Sequence, residues 1–453
     1  MGQLLRLSLF QVSVGMASVL LLGTLNRVMI VELSVPAMVV AFMIALPVLI
    51  APFRALLGFR SDNHRSAIGW KRVPYIWFGS LWQFGGLAVM PFALLVLGGD
   101  VVHQIPFAGE VLAGLAFLMT GLGLHMTQTA GLALASDRAT DATRPRVVAL
   151  LYVMFLVGMG VSAVLIGALL NEFTPVRLIR VIQGAAVVGI LLNLVALWKQ
   201  ERVRPMNQTE RAAPKPLFGD AFADFLAGNR SGRLLVCVFF GTMAFNMQDV
   251  LLEPYGGEIL GLSVSATTML TAMWATGALA GFAWAARQMS RRTSNAYRLA
   301  GLGVLVGIWA FSMVIFAAPL GSAGLFFAGA GFIGFGSGLF AVSTLTAAMA
   351  LPTGNKSGRG LALGAWGAAQ ATAAGLAIAL GGALRDWVGA IAMTGALGEG
   401  MISPSVGYSF VYHTEIGLLF ITLAMLGPLV RRSGPIHSNP TETARFGLAD
   451  FPT

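Results

Sequence analysis

Two ionisable residues, Arg27 and Asp249, lie within long apolar stretches and could form a charge pair or contact a polar solute. They occupy equivalent local positions, because each is followed a few residues later by a glutamate, Glu32 or Glu253. An ionisable group in an apolar environment is costly, so it normally has a partner or a function. We predict that Arg27 and Asp249 pair between two helix bundles, with Glu253 close by. A substrate contact is the less favoured interpretation, because both residues lie towards one end of their helices.

His125 is the histidine that the sequence places in the middle of an apolar stretch. A neutral imidazole nitrogen is a good metal ligand, and Gly121 and Gly123 would leave room for a large ligand beside the ring. For one histidine without a partner motif, we favour an interior residue hydrogen-bonded to a backbone carbonyl or to Gln128. Ligand binding around His125, Gln128 and Gly121 is the alternative.

Motifs of soluble enzymes are missing from the sequence. It contains no Walker A string, no G-x-G-x-x-G after a strand, no H-E-x-x-H and no G-x-S-x-G. The single cysteine, Cys237, lies in an apolar stretch, so this chain alone can form neither a disulfide nor a cysteine-based metal site. These observations argue against an enzyme.

The composition indicates a protein that is dissolved in lipid. Of the 453 residues, 57% are hydrophobic and 11% are charged, whereas an ordinary soluble domain carries about a quarter charged residues. The net charge of +10 could suggest binding to nucleic acid. The basic residues lie between apolar stretches and not in one cluster, however, so we interpret them as topology determinants and expect no nucleic-acid partner.

Twelve apolar stretches are long enough to cross about 30 Å of hydrocarbon. They fall near 7–31, 35–58, 73–97, 110–135, 146–170 and 176–198, and then near 234–254, 264–286, 299–317, 324–350, 360–383 and 409–430. Because the number is even, both termini lie on one side. Most of the 29 Lys and Arg residues also fall on that side, which the positive-inside rule assigns to the cytoplasm.

Two glutamates, Glu110 and Glu415, open the fourth and twelfth predicted spans. We expect both to lie at the membrane boundary opposite the termini, where a carboxylate is solvated. A proton relay would need carboxylates deeper in the membrane. The small number of charges in the middle of the spans therefore argues against strong proton coupling.

A polar stretch divides the chain into two sets of six spans. We predict an N-terminal six-helix bundle at 1–198, a cytoplasmic linker at 199–233, a C-terminal six-helix bundle at 234–430 and a cytoplasmic tail at 431–453. Within the linker, apolar residues recur at helical spacing between 218 and 226. They predict a short amphipathic helix, which either lies on the membrane surface or packs on the bundle.

Internal repetition supports two related halves. Five residues of the fourth predicted span match five of the tenth at one offset of 215 residues: Gly121, Gly123, Leu124, Thr129 and Ala133 match Gly336, Gly338, Leu339, Thr344 and Ala348. Repeats of this kind are typical of transporters whose working site lies between the halves. The predicted fold class is an all-α polytopic membrane protein of about twelve transmembrane helices in two six-helix pseudo-repeats.

The loop between the second and third predicted spans contains Gly58, Asp62, Gly69, Lys71 and Arg72. Gly58 permits a tight helix end, and Asp62 can accept hydrogen bonds from a helix N-terminus or an arginine. Lys71 and Arg72 hold the loop at the cytoplasmic surface. The loop resembles the Gly-x-x-x-Asp and Gly-x-Arg-Arg signature of the major facilitator superfamily, with a longer spacing before the second glycine. That signature concerns conformational gating and does not identify a substrate.

Four longer strings resemble the PucC/LhaA family of that superfamily. They are LNRVMIVEL at 25–33, RSDNHRSAIGWKRVPYIWFG at 60–79, NMQDVLLEPYGGE at 246–258 and ARFGLADF at 444–451. The resemblance covers essentially the whole chain. The string at 60–79 is more similar to the PucC members than to the LhaA members, whose equivalent loop is shorter.

The resemblance implies a non-enzymatic assembly factor for light-harvesting antenna complexes of purple phototrophic bacteria, with the peripheral antenna as the expected client. The implied cofactor is bacteriochlorophyll, bound transiently and delivered to antenna α and β polypeptides in the inner, or intracytoplasmic, membrane. Pigment-synthesis enzymes, the protein translocase and membrane lipid are further expected partners. In this context His125 becomes a candidate ligand for the pigment magnesium, with Gln128 and Gly121 beside it.

Two further expectations concern how such a protein would act. Antenna polypeptides are single-span helices, so they could dock on small-residue faces of the tenth and eleventh spans, for example at Gly364, Gly367, Ala368 and Gly375. The alternative function is a transporter of a small amphipathic solute or a tetrapyrrole, whose flux would depend on Asp249 or Arg27.

Overall fold

The computed structural model describes most of the chain, and every regular element in that part is helical. The described residues are 2–33, 35, 37–99, 106–140, 143–170, 174–205, 207, 217–227, 230–262, 264–290, 295–351 and 358–432. Within these ranges there are α-helices with short 3-10 and π-helical turns and no β-strand. The predicted all-α fold is therefore confirmed. The string at 444–451 and most of the predicted tail lie outside the described residues.

Six helical spans form the first half, and we number the spans in chain order. The first comprises Gly2–Val19, Leu20–Thr24, Leu25–Arg27 and Val28–Glu32, and the second comprises Ala37–Leu49, Ala51–Phe53 and Arg54–Asp62. The third to sixth are Val73–Leu97, Ala108–Arg138, Arg144–Leu169 and Pro175–Leu197.

Six more spans form the second half. The seventh comprises Ser231–Asn246, Met247–Val250 and Leu252–Glu258, and the eighth to twelfth are Val264–Met289, Ala296–Ala317, Ala323–Met349, Arg359–Met393 and Ser405–Arg432. A short helix, Phe218–Ala227, precedes the seventh span, and the turn Glu399–Met401 precedes the twelfth.

In the described part of the chain, eleven of these spans are long and apolar enough to cross a membrane. The eighth span has 26 residues but is rich in alanine and threonine, which makes it less apolar than the others. At about 1.5 Å of rise per residue, its length still exceeds the hydrocarbon thickness. The chain is thus a multi-pass membrane protein, as the prediction of about twelve membrane helices requires.

Both described ends of the bundle lie on the same face. Arg138 Nη1 at the end of the fourth span donates to Gln3 Oε1 at 2.8 Å, so the start of the first span is beside it. The twelfth span ends on this side after an even number of crossings. Because Lys71, Arg72 and Lys199 belong to its loops, we call this side the basic face and the other side the opposite face.

The helical geometry is interrupted in three spans. In the second span, the α-helix ends at Leu49 and resumes at Arg54 after a 3-10 turn that contains Pro52. Arg27 lies between two π-helical segments of the first span, and Asp249 lies in a 3-10 turn of the seventh. Irregular backbone at membrane depth is tolerated where it is enclosed by protein or lines a polar cavity. These breaks therefore mark the interior positions to examine for function.

The two halves meet along two main pairs of spans. The second span packs on the eleventh, and the fifth packs on the eighth. The closest approach is between Gly58 and Gly360, where a Cβ on Gly58 would lie 1.8 Å from the carbonyl oxygen of Gly360. Such contacts between glycines allow the backbones of two membrane helices to touch.

The expected docking face on the eleventh span is already covered, so that expectation is wrong for this conformation. A Cβ on Gly364 would lie 2.2 Å from the carbonyl oxygen of Arg54, and one on Gly375 would lie 2.3 Å from Val48 Cγ1. The second span thus fills the small-residue stripe. A stripe of small residues fits an internal helix as well as an external one, and the chain uses it internally.

The short helix Phe218–Ala227 packs on the bundle, which was one of the two predicted arrangements. Ala221 and Phe225 are buried. The Phe218 ring meets the Phe59 ring edge-on, with centroids 5.5 Å apart. The aromatic side of this helix is therefore covered by the second span.

Candidate functional site

A network of charged residues closes the basic face. Arg72 forms an ion pair with Asp62, and its Nε donates to Asp137 Oδ2 at 3.2 Å. Burial acts to lower the pKa of Arg72, but the two carboxylates outweigh it, so the pKa lies above its ordinary value. The Arg72 side chain is only 5% exposed. An arginine this buried is stabilised by both partners together.

Asp62 connects the two halves. Its carboxylate oxygens accept hydrogen bonds from the backbone N–H groups of Gly360 and Leu361, at 2.9 and 2.8 Å. These N–H groups open the eleventh span, where a helix has unpaired donors and a partial positive charge. Arg359 Nη1 adds a hydrogen bond to the carbonyl oxygen of Ser136 at 3.2 Å. The first half therefore caps a helix of the second half.

The rest of the loop is held by contacts of its backbone with Glu201 and Arg204. Glu201 accepts hydrogen bonds from the N–H groups of Lys71, Arg72 and Val73 at 3.0 to 3.1 Å, which caps the third span. Gly69 has a φ of +82°, and a Cβ there would lie 1.9 Å from the carbonyl oxygen of Arg204. The glycine is thus required by both its conformation and its neighbour. The Lys71 side chain is exposed.

His125 is hydrogen-bonded to a backbone carbonyl. Its Nε2 lies 2.9 Å from the carbonyl oxygen of Pro47, just before the break in the second span. A carbonyl oxygen only accepts, so Nε2 carries the proton and Nδ1 is the ring nitrogen with a lone pair. A Cβ on Gly121 would lie 2.6 Å from Pro47 Cβ, and one on Gly123 would lie 2.3 Å from the backbone nitrogen of Gln83. In this conformation, protein fills the space that both glycines leave.

The residues predicted around His125 thus do not form an open site for a macrocycle in this conformation. Gln128 is half-buried on the same span, and the ring bonds to Pro47 rather than to it. Among the described residues, no group of three or more His, Cys, Asp or Glu side chains could hold a metal ion. Magnesium ligation through Nδ1 stays a prediction, and it would require the second and fourth spans to separate.

Arg54 is a polar residue that the sequence reasoning left unassigned. Its side chain is buried between the halves, with Nε donating to Thr129 Oγ1 at 3.1 Å and Nη1 to the carbonyl oxygen of Gly367 at 3.3 Å. Nη2 is buried without a hydrogen-bond partner among the described residues. A Cβ on Gly367 would lie 2.5 Å from Arg54 Cζ, so this glycine makes room for the guanidinium. Its position inside an apolar stretch was the signal that could have identified it.

Tyr152 of the fifth span extends this polar interior. It lies close enough to Arg54 for an electrostatic interaction, and its buried hydroxyl interacts with Gln370 of the eleventh span. Its ring packs on Phe282 of the eighth span, with centroids 5.0 Å apart. Arg54 Nη2 is therefore an unused donor at the seam between the halves, where an anionic or carbonyl group of a ligand could bind.

A second polar cluster lies between the seventh and twelfth spans. Gln248 Nε2 donates to Asp249 Oδ1 at 2.6 Å, and the Asp249 side chain is exposed. Glu415 is fully buried beside them. The expectation that Glu415 lies at the membrane boundary is wrong, because the twelfth helix begins at Ser405 and Glu415 is well inside it. Glu110, near the start of the fourth span, is exposed.

The remaining predicted polar residues have separate environments. The Arg27 side chain lies outside the described residues, so its pairing with Asp249 stays a prediction. Glu253 is exposed and accepts a hydrogen bond from Thr271 Oγ1 at 2.6 Å. Near the opposite face, Arg385 pairs with Glu258 and with Asp386, each at 2.7 Å. The chain thus distributes its membrane charges over several small groups.

Comparison with solved structures supports this architecture. A bacterial homologue of the iron transporter ferroportin, in an outward-facing state, matches with a TM-score of 0.73 at 13% identity over 95% of this chain and 99% of that chain. The transporter FucP of the major facilitator superfamily, in the outward conformation, matches with a TM-score of 0.63 at 14% identity over 94% and 99%. At such low identity the likeness shows the fold alone, which is the predicted major facilitator fold.

Sequence relatives identify the family. An uncharacterised protein in the puhA-bchM intergenic region of Rhodobacter capsulatus is 62% identical over 100% of this chain and 94% of its own length. Protein PucC of Rhodovulum sulfidophilum is 54% identical over 86% of each chain. The family model described as PUCC protein matches residues 24–434, which include the loop network, His125, Arg54 and the Asp249 cluster. The chain therefore belongs to the PucC protein family.

Proposed function

We propose that this chain is a non-enzymatic assembly factor for light-harvesting antenna complexes, which binds bacteriochlorophyll and delivers it to antenna α and β polypeptides. The observation that carries the proposal is the family match over residues 24–434, together with 54% identity to a protein named PucC. We place the protein in the bacterial inner membrane with its basic face towards the cytoplasm, because basic loops are retained there.

A surface groove supports the binding of a flat apolar ring. It lies between the eighth, ninth and twelfth spans and has a volume of about 470 Å³, within the usual range for ligand pockets. Its walls are mainly aromatic and aliphatic, with Trp284, Tyr297, Leu302, Leu305, Leu423 and Leu426 among the lining residues. A pigment in this groove could pass to a single-span polypeptide without crossing water.

The groove can be tested by filling it. Gly301 lines it, and a Cβ there would meet only Leu423 Cδ2, at 4.0 Å. A Gly301→Phe variant should therefore lose pigment from the purified protein while remaining folded. Gly184→Phe is the matched control, because a Cβ on Gly184 of the sixth span meets nothing within 4 Å. Equal pigment content in the two variants would exclude the groove.

Deletion of the chain from a pigment-producing host tests the function. We expect the absorption of the antenna complexes to fall while extractable bacteriochlorophyll is still made, and a plasmid copy should restore the antenna. Recording the peripheral and core antenna bands separately identifies the client complex. Normal levels of both complexes in the deletion strain would contradict the proposal.

The second candidate function is transport of a small amphipathic solute or a tetrapyrrole. It is favoured by the closed basic face, where Asp62 and Arg72 join the halves, and by the outward-facing states of the solved structures that match. Copurification separates the two functions. An assembly factor should retain antenna polypeptide and pigment in detergent, whereas a transporter should move solute in vesicles without either.

A further inference from the structure

Glu415 has no partner for a negative charge. Its side chain is fully buried in the twelfth span, and both carboxylate oxygens lack a hydrogen bond among the described residues. An ionised carboxylate in this position loses its hydration, and the nearby backbone of Gln248 offsets only part of that cost. The site therefore requires a bound species that neutralises the carboxylate.

Among the described residues, which do not include the Arg27 side chain, the groups that face Glu415 do not supply a cation. From the seventh span these are Gln248 and Asp249, and from its own span it is Tyr412, which itself lies beside Tyr255 and Tyr408. The charged group that acts on Glu415 is Asp249, which has the same sign. Arg385 of the eleventh span is already paired with Glu258 and Asp386. Two neighbouring carboxyl groups without a cation cannot both be ionised cheaply, so they share a proton.

The two carboxyl groups lie at similar depth. Asp249 is nine residues before the end of the seventh span at Glu258, and Glu415 is ten residues after the start of the twelfth at Ser405. At 1.5 Å per residue, both are roughly 15 Å from the opposite face. Asp249 is exposed, whereas Glu415 is not. Asp249 is therefore the more accessible of the two carboxyl groups, and Glu415 can exchange a proton only through its neighbours.

The neighbours also have unused hydrogen-bonding atoms. Gln248 Oε1 and the Tyr412 hydroxyl are both buried without a partner in the described structure. A neutral Glu415 has an O–H donor that either oxygen could accept, whereas an ionised Glu415 has none. Protonation therefore provides a donor for one of these two groups, which are otherwise unpaired.

We propose that Glu415 is a proton-binding site of the second half and exchanges its proton with water through Asp249. A proton from water binds the Asp249 carboxylate and passes to a Glu415 oxygen, and Asp249 returns to its ionised form. Asp249 lies in the break of the seventh span at Met247–Val250, where the α-helix is interrupted. This inference is independent of pigment binding.

Infrared spectroscopy of the purified full-length protein tests the proposal. We expect a carboxylic-acid C=O band at neutral pH that is lost in Glu415→Gln and retained in Glu110→Gln, the exposed control. In Asp249→Asn the band should remain, but its shift on transfer to D₂O should become slower than in the wild type. Size-exclusion chromatography checks that each variant is folded.

The absence of the band from the wild-type spectrum would overturn the proposal, because Glu415 would then be ionised. A band that is unchanged in Glu415→Gln would also overturn it. If Glu415→Gln does not fold, Glu415→Asp assigns the band instead, because the frequency of the carboxylic-acid C=O band must then differ from that of the wild type. An unchanged exchange rate in Asp249→Asn would refute the route through Asp249.

Discussion

The carboxylate of Asp62 accepts a hydrogen bond from the backbone N–H of Leu361 at 2.8 Å, although the two residues are 299 positions apart. Asp62 belongs to the first half and Leu361 to the second. The basic face is therefore closed by a side chain that caps a helix of the other half. Any opening that separates the two halves at this face must break the cap.

Replacing Asp62 should loosen this closure. Asp62→Asn keeps the size of the side chain but removes the charge that pairs with Arg72 and stabilises the helix N-terminus. Removing one partner of a buried pair and weakening a cap should destabilise the closed form by about 2 kcal/mol. Thermal unfolding in detergent measures the loss. Asp224→Asn, on the exposed side of the short helix, is the control, and an equal effect of both substitutions would contradict the role of Asp62.

The contact between Gly58 and Gly360 should tolerate no side chain. Because a Cβ on Gly58 would lie 1.8 Å from a carbonyl oxygen, Gly58→Ala must separate the second and eleventh spans. We expect a loss of at least about 2 kcal/mol, as for other overpacked sites. Gly184→Ala, with open space around it, should be neutral or slightly stabilising. Unfolding midpoints that do not differ between the two variants would refute this packing.

Arg54 should affect function more than stability. Arg54→Met removes a buried charge without an ion-pair partner, which is costly to keep, but it also removes the donors to Thr129 and Gly367, so the unfolding midpoint should change little. If the unpaired Nη2 binds a ligand group, the same variant should fail to restore antenna assembly in the deletion strain. A variant that is stable and fully active would show that the guanidinium has no functional role.

His125 should contribute to stability through Pro47. In His125→Ala the carbonyl oxygen of Pro47 loses its donor, and an unsatisfied buried acceptor costs about 1–3 kcal/mol. The unfolding midpoint should fall accordingly. The absorption spectrum of the same purified variant tests ligation of the pigment magnesium, since unchanged pigment content would exclude His125 as the ligand.

The loop should make stability depend weakly on pH. Burial lowers the pKa of His64 below its ordinary value, although the nearby Glu201 acts in the other direction. The unfolded chain therefore binds the proton more readily than the folded protein. The contribution of His64 to the stability of the fold is fully present above about pH 6.5, the pKa of histidine in the unfolded chain. It decreases as the pH falls below that value. The decrease in unfolding midpoint from about pH 8 to about pH 5 should be smaller in His64→Asn than in the wild type.

The amino-acid sequence by itself determined the membrane architecture. Apolar length and the positions of Lys and Arg are local properties, so the all-α class and about twelve membrane helices could be predicted from them. The superfamily came from the resemblance of the loop at 58–72 to its signature. The loop residues Gly58, Asp62 and Gly69 were also found from sequence, Asp62 because a carboxylate can cap a helix N-terminus and the two glycines because they match the superfamily signature. The tight helix end predicted at Gly58 was wrong, because the helix continues to Asp62 and Gly58 packs on Gly360 instead.

The tertiary structure decided which side chains meet. In lipid a helix can be apolar on every side, so periodicity does not separate a face that packs on protein from one that touches the bilayer. For that reason the glycine stripe of the eleventh span was assigned to the outside. Glu415 was misplaced because its burial depends on where the twelfth helix starts and on residues of the seventh span. The partners of His125 and Arg54 likewise come from other spans, and only the folded chain brings them together.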